Sequence, residues 1–212
     1  MLSAYRLLHA FADQTAVLDN VSLSLEAGEW VGLNGLSGAG KSTLGQLLAG
    51  HLTPQAGVIK VDGAAPPRSG LQPVQWLPQS PELSVNPRWR VKRILEEAWT
   101  PSTALREAFG IEPGLLNRYP SALSGGELQR VCVLRALAPG VRYLIADEIS
   151  SMLDPLTQLA LWQALRQVAD ERRLGVLVIS HDAALLERLC PRRLTLSEGR
   201  LSPPARHGAQ SA

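Results

Sequence analysis

The sequence carries little net charge, few cysteines and no long apolar run, and each shortage removes a class of protein. A formal net charge of +2 makes no case for a nucleic-acid binder, which needs a basic stripe. The two cysteines, Cys132 and Cys190, lie far apart and form no CxxC pair. They read as free buried thiols in a reducing compartment rather than as metal ligands. No apolar run approaches the roughly 20 residues of a membrane span. The opening "MLSAYRLLHAFADQ" is too short and too polar for a signal peptide. The expected location is therefore the cytosol, or a membrane surface reached through another protein. There is no internal repeat. What is present is an ordinary composition, 45% hydrophobic and 19% charged over 212 residues. That suits one domain, or one domain with an insertion, around a real core.

The patterning alternates between strands and helices. "AVLDNVSLSLEAGEWVGLNG" reads as a strand, a turn at Ala27-Gly28 and a more buried strand ending at Asn34. "KSTLGQLLAG" reads as a helix stopped at Gly50, and "GVIKVDG" and "VQWLP" as short strands. From Ser80 to Ala138 the signal turns helical, with "VKRILEEAW", "STALREAFG" and "ELQRVCVLRALA". Strand patterning returns with "VRYLIADE". Asp154-Pro155 then supplies an N-cap and a first-turn proline for "PLTQLALWQALRQVADERR". "LGVLVISHD" reads as a buried strand, "AALLERLC" as a helix and "RRLTLSEGRL" as a hairpin, and the last ten residues have no periodicity. Such alternation implies a mainly parallel α/β core interrupted by a helical insertion.

Gly35-Leu36-Ser37-Gly38-Ala39-Gly40-Lys41-Ser42 fits G-x-x-x-x-G-K-[ST] in full, followed by Thr43. Its glycines let successive backbone N–H groups point at phosphate oxygens, and the helix that follows adds its positive dipole end. Lys41 supplies a full charge near the β- and γ-phosphates, and the Ser42 hydroxyl can ligate Mg²⁺. The flanking strand and helix separate this motif from a mere flexible turn. In "YLIADE" four apolar residues deliver Asp147 and Glu148 to the carboxyl end of a strand, where ligands bind in α/β sheets. Asp147 is expected to hold Mg²⁺ and Glu148 to polarise an attacking water.

"LSGGELQR", Leu123 to Arg130, contains a capping box, Ser124-x-x-Glu127. The box does not require Gly125-Gly126, which strip side chains from the helix N-terminus as a second phosphate contact would. Together the loop, this stretch and "YLIADE" resemble the ATP-binding cassette (ABC) ATPases, from about Tyr5 to Leu201. The resemblance implies one P-loop domain over residues 1–202. Its RecA-like core, 1–79 and 139–202, would hold a mainly parallel sheet with an antiparallel β-subdomain. An α-helical subdomain would occupy about 80–138, and a flexible tail 203–212. It also implies roles. Phe11 would stack on adenine. Gln79 would be the lid glutamine that reaches Mg²⁺ and the water. "SMLD", ending at Asp154, would cross a dimer interface, and His181 would contact the γ-phosphate. Ser124, Gly125, Gly126 and Glu127 would act in trans on the ATP of a second cassette. Three positions depart from the family's habit. Glu127 stands where glutamine is common, Phe11 where tyrosine is more usual, and Ile149 where proline follows the Asp-Glu pair.

The resemblance further implies ATP and Mg²⁺ as cofactors and two transmembrane permease subunits as partners. It also implies a second ABC ATPase, as a heterodimer or homodimer, and indirectly a substrate-binding protein, at the cytoplasmic face of the inner membrane. "PQSPELSVNPRWRV", "DEISSMLDPLTQLALWQAL" and "LVISHDAALLERLC" look like the importer branch for dipeptides, oligopeptides and nickel, nearest its nickel or metallophore members. The C-terminal extension of many members is expected to be missing. A soluble cassette of translation or repair and an exporter cassette are the alternatives. Gln79 to Arg90, with Pro81, Pro87 and Trp89 on an exposed loop, is the expected wall of a permease groove.

Overall fold

The structure is a computed structural model that describes residues 1–11 and 16–203. The chain opens with β1 (Leu2–His9), β2 (Leu18–Leu25) and β3 (Trp30–Asn34), followed by α1 (Lys41–Leu48), β4 (Ala56–Val61) and β5 (Val74–Leu77). Three short helices, α2 (Val91–Leu95), α3 (Thr103–Ala108) and α4 (Gly125–Ala136), come next, with three 3₁₀ turns among them. The chain closes with β6 (Tyr143–Asp147), α5 (Pro155–Arg172), β7 (Gly175–Ile179), α6 (Ala183–Leu189), β8 (Arg192–Ser197) and β9 (Arg200–Ser202).

Two sheets result. The larger runs β5-β6-β7-β3-β8-β9, parallel except for the β8–β9 hairpin. The smaller runs β2-β1-β4 and is antiparallel. This is an α/β fold with a mainly parallel sheet and an antiparallel companion, as the alternation implied. The central strands are covered on both faces, so they read as unbroken apolar runs. In β6, Tyr143 and Ile145 face one core cluster while Leu144 and Ala146 face the other. In β7, Leu177 and Ile179 join the first and Val176 and Val178 the second. One cluster lies between the larger sheet, α1 and the smaller sheet; the other lies under α4, α5, α6 and the helical segment between β5 and β6. Burial pushes both free thiols up, Cys132 to about 11 and Cys190 to about 12, which leaves them inert.

Strand β1 has no counterpart in the sequence reading. Its register against β2 shifts between Ala4 and Leu7 and again between Leu7 and His9, and Arg6 sits at φ 50. A bulge adds a residue to one strand and breaks the period of two, so "LSAYRLLH" does not alternate although it is paired on both sides. Of the tail read as flexible, residues 204–212 lie outside the described residues.

Candidate functional site

The phosphate loop leaves the end of β3, and its backbone explains its glycines. Gly38 and Gly40 have φ of 78 and 97, the left-handed region that a side chain disfavours. A Cβ on Gly40 would meet Val17 Cγ1 at 2.8 Å and the Val17 carbonyl oxygen at 3.0 Å. A Cβ on Gly38 would meet nothing within 4 Å. Lys41, the first residue of α1, is only 8% exposed. Its Nζ donates to the carbonyl oxygens of Gly35 at 2.8 Å and Leu36 at 2.9 Å, so the ammonium draws the loop around itself.

Strand β6 carries Asp147 into this region. The residue is 4% exposed, and burial pushes its carboxyl up while the nearby Ser42 hydroxyl pulls it down. The Trp76 indole N–H leans toward the same carboxylate without forming a hydrogen bond of normal geometry. Glu148 follows at φ 51, its backbone N–H donating to the Ile179 carbonyl at 2.9 Å. This left-handed residue turns the chain off the sheet and aims the carboxylate back across the strand ends. His181, just past β7, places Nδ1 3.3 Å from Glu148 Oε1, with its side chain 69% exposed and that of Glu148 19%. Gln79, past β5, donates from Nε2 to Ser151 Oγ at 3.4 Å, and the Ser151 hydroxyl donates to the Glu148 carbonyl oxygen at 2.9 Å.

These groups surround one cavity of about 580 Å³. Phe11, Ser37, Gly38, Gly40, Lys41, Ser42, Thr43, Gln79, Asp147, Glu148 and His181 all line it, as does Val17, which no motif signals. A glycine cradle, a buried ammonium and two hydroxyls at a helix N-terminus suit a polyphosphate. A buried carboxylate held protonation-prone by desolvation, beside a hydroxyl, suits a hard divalent cation.

Other expected residues stand elsewhere. Gly35 and Ala39 shape the loop without lining the cavity. A Cβ on Gly35 would sit 2.3 Å from the Leu196 carbonyl oxygen, so this glycine serves a close approach to β8. Ser124, Gly125, Gly126 and Glu127 do not reach the cavity. They form the complete capping box at the head of α4: Ser124 Oγ accepts from the Glu127 N–H at 3.2 Å, and Glu127 accepts from the Ser124 N–H at 2.7 Å. The hydrogen bond from the Ser124 N–H, first, holds the Glu127 carboxyl below its usual range. A Cβ on Gly125 would point into open space, whereas one on Gly126 would meet Leu153 Cδ2 at 3.0 Å. Asp154 caps α5, accepting from the N–H groups of Leu156 at 3.1 Å and Thr157 at 3.0 Å, and does not line the cavity.

The loop from Gln79 to Arg90 corrects one expectation. Pro81 is buried, its carbonyl accepting from the Cys132 thiol, and Trp89 is half-buried against the helical core with Arg93 stacked on its ring at 4.2 Å. Packing inside the helical segment takes the indole; Pro87 is exposed as expected, and Leu83, 80% exposed, is the large apolar side chain this loop presents. Sequence reasoning also missed Ser150 and, beyond placing Ser151 at the start of "SMLD", what the Ser151 hydroxyl does. Ser150 is buried and Ser151 links Gln79 to Glu148, but a hydroxyl in a loop carries no periodic signal.

Comparison with known proteins agrees with this geometry. Residues 18–151 match the ABC transporter family. The nickel import ATP-binding protein NikE of Rhodospirillum rubrum is 36% identical over 206 residues, 87% of this chain and 74% of its own. NikE of Escherichia coli K12 is 36% identical over 205 residues, 88% of this chain and 76% of its own. The solved ATP-binding subunit of an ABC transporter superposes with a TM-score of 0.80 at 26% identity, over 95% of this chain and 89% of that one. A dimeric ATP-binding cassette with ADP and phosphate bound, at 22% identity, shares the fold with a TM-score of 0.82, over 96% of this chain and 98% of that one. The matched residues include the phosphate loop, the Ser124 cap and the Asp147-Glu148 strand end. This chain therefore belongs to the ABC transporter family, as one of its ATP-binding, ATP-hydrolysing cassettes.

Proposed function

We propose that this chain is the ATPase subunit of a membrane importer whose cargo is nickel, a metal chelate or a short peptide. The observation that carries the reading is the convergence of the phosphate loop, Asp147, Glu148, Gln79 and His181 on one cavity. Lys41 exchanges the carbonyls of Gly35 and Leu36 for the β- and γ-phosphates, and the N–H groups from Ser37 to Thr43 hold the remaining oxygens. Phe11 packs on the adenine. Ser42 and Asp147, with Gln79, would hold Mg²⁺, which when bound neutralises phosphate charge. Glu148 accepts a proton from the attacking water, and His181 swings from Glu148 to the γ-phosphate. Hydrolysis of this kind is positioning plus electrostatics.

The reading makes one chain a set of half-sites. Ser124, Gly125, Gly126 and Glu127 lie outside the cavity, with Gly125 open to the surroundings, so they serve the ATP of a second cassette. Leu36 in the phosphate loop and Met152 and Leu156 flanking Asp154 are 82%, 74% and 80% exposed, apolar surface that a second cassette would cover. Closure on ATP and reopening on hydrolysis then drive two permeases, docked beside the helical segment 80–138. No helix among the described residues is long and apolar enough to cross a membrane; the permeases would hold the chain at the cytoplasmic face of the inner membrane. The names of the NikE relatives support the cargo class.

The test is ATPase of the chain alone and then with its permeases, companion cassette and loaded binding protein, offering nickel, nickel chelates and short peptides in turn. Activity should rise on assembly and again with one cargo. Glu148→Gln should keep ATP binding and raise the hydrolysis barrier by roughly 3–4 kcal/mol. Full, cargo-independent turnover by the chain alone would refute the importer reading.

A further inference from the structure

The turn that carries Glu148 lacks the stiffening a proline would bring, because Ile149 follows. The backbone at Glu148 is left-handed, a conformation that side chains other than those of asparagine and aspartate seldom take. Something must hold it. On one side the Glu148 N–H donates to the Ile179 carbonyl. On the other, close packing does not suffice. A chamber of about 210 Å³ borders Glu148, Ser150, Trp162, Ser180 and His181, giving the turn room to shift.

Within the turn the Ser151 N–H and hydroxyl donate to the Glu148 carbonyl at 3.1 and 2.9 Å, and Gln79 reaches Ser151 from the edge of the sheet. The buried restraint from α5 is the Ser150 hydroxyl. Ser150 is 4% exposed, and its Oγ accepts from Gln158 Nε2 at 2.9 Å and from Trp162 Nε1 at 3.0 Å. Gln158 and Trp162 are one turn apart on α5, so they present their donors on the same face. Trp162 is itself buried, and an indole N–H can only donate, so its demand for an acceptor is strict. Ile149, 2% exposed, plugs into the apolar cluster between these bonds and Glu148.

We propose that Ser150 is a positioning residue for hydrolysis: its doubly accepting hydroxyl pins the turn 148–151 to α5 and so holds the Glu148 carboxylate at the cavity. The tether supplies the stiffness that proline would otherwise give. The proposal rests on the reading of Glu148 as the group that orders the attacking water.

The experiment uses the full chain assembled with its companion cassette and permeases for single-turnover hydrolysis of labelled ATP, and the chain alone for separate titration with a fluorescent ATP analogue. Ser150→Ala should slow hydrolysis about ten- to a hundredfold, as small misplacements of catalytic groups do. Nucleotide affinity should stay within about twofold, because the phosphate loop is untouched. Ser150→Thr keeps the hydroxyl, has the chamber for its methyl group, and should restore the rate. Trp162→Phe, which keeps a ring and deletes one donor, should show a smaller loss of the same kind. In a Glu148→Gln background, Ser150→Ala should add less than about a twofold loss, since residues acting through one another are not additive. An equal loss in both backgrounds, or loss of ATP binding together with the rate, would overturn the tether. So would normal turnover in both Ser150→Ala and Trp162→Phe while Glu148→Gln is inactive. Normal turnover in Glu148→Gln would overturn the reading of Glu148 and the tether with it.

Discussion

Two glycines of the phosphate loop, two residues apart, should fail for different reasons when a single methyl group is added. Both adopt left-handed backbone, which costs an alanine about 1–2 kcal/mol, partly offset by about 0.4–1 kcal/mol because alanine restricts the unfolded chain. At Gly38 nothing lies within 4 Å of the new carbon, so the net cost in stability is about 0–1.5 kcal/mol. At Gly40 the methyl lands 2.8 Å from Val17 Cγ1 and 3.0 Å from a backbone oxygen, and overpacking of that kind adds about 1–3 kcal/mol. Gly40→Ala should therefore unfold about 1–4.5 kcal/mol more easily, a fall in Tm of about 2–18 °C in a chain of this size. The order reverses for nucleotide. Gly38 lines the cavity, so its methyl is expected to compete with phosphate. Urea unfolding with and without ATP at about 100 times the wild-type Kd separates the two. The wild type should gain about 2.7 kcal/mol, and Gly38→Ala, if its Kd rises a hundredfold, only about 0.4 kcal/mol. Equal destabilisation by the two substitutions, or full stabilisation of Gly38→Ala by ATP, would refute the reasoning.

Two further outcomes are expected. Burial raises the Asp147 carboxyl pKa above the unfolded value, so the folded state holds its proton more tightly and loses stability as pH rises from the unfolded pKa through the raised one. Asp147→Asn should then raise the Tm of the nucleotide-free chain at neutral pH, flatten that acid-side slope and abolish divalent-cation-dependent hydrolysis; a lowered Tm would contradict it. Gly125→Asp, where an added Cβ meets nothing within 4 Å, should leave ATP binding by the isolated chain unchanged and block ATP-driven pairing of cassettes, measured by light scattering. Normal ATP-dependent dimers of Gly125→Asp would remove Gly125 from the interface. Gly126 is the poorer test, because its Cβ already crowds Leu153 within the chain.

Much of the site is legible in the chain because its chemistry is local. The phosphate loop needs consecutive N–H groups beside one lysine, and only a contiguous, glycine-rich stretch provides them. The capping box at Ser124 and the Asp154 cap close within three residues, so sequence spacing and hydrogen bonds coincide. The strands β6 and β7 are buried on both faces, and their apolar runs announce it. By contrast β1 hides behind its bulge, and Trp89 looks like an exposed anchor until Arg93 and the helical core are seen around it.

Sequence alone determined the alternation of strands and helices, the phosphate loop and the strand end that delivers Asp147 and Glu148, because each rests on backbone geometry or hydrophobic period within about a dozen residues. Tertiary structure decided the rest. Parallel strands pair residues far apart in the chain, and the strand order 5-6-7-3-8-9 is what brings Gln79, Glu148 and His181 together at one edge with Lys41. The same order lays α5 where Gln158 and Trp162 can grip Ser150, an arrangement set by helix packing on the sheet. Distances across the sheet depend on which strands become neighbours, and the local chain does not encode that choice.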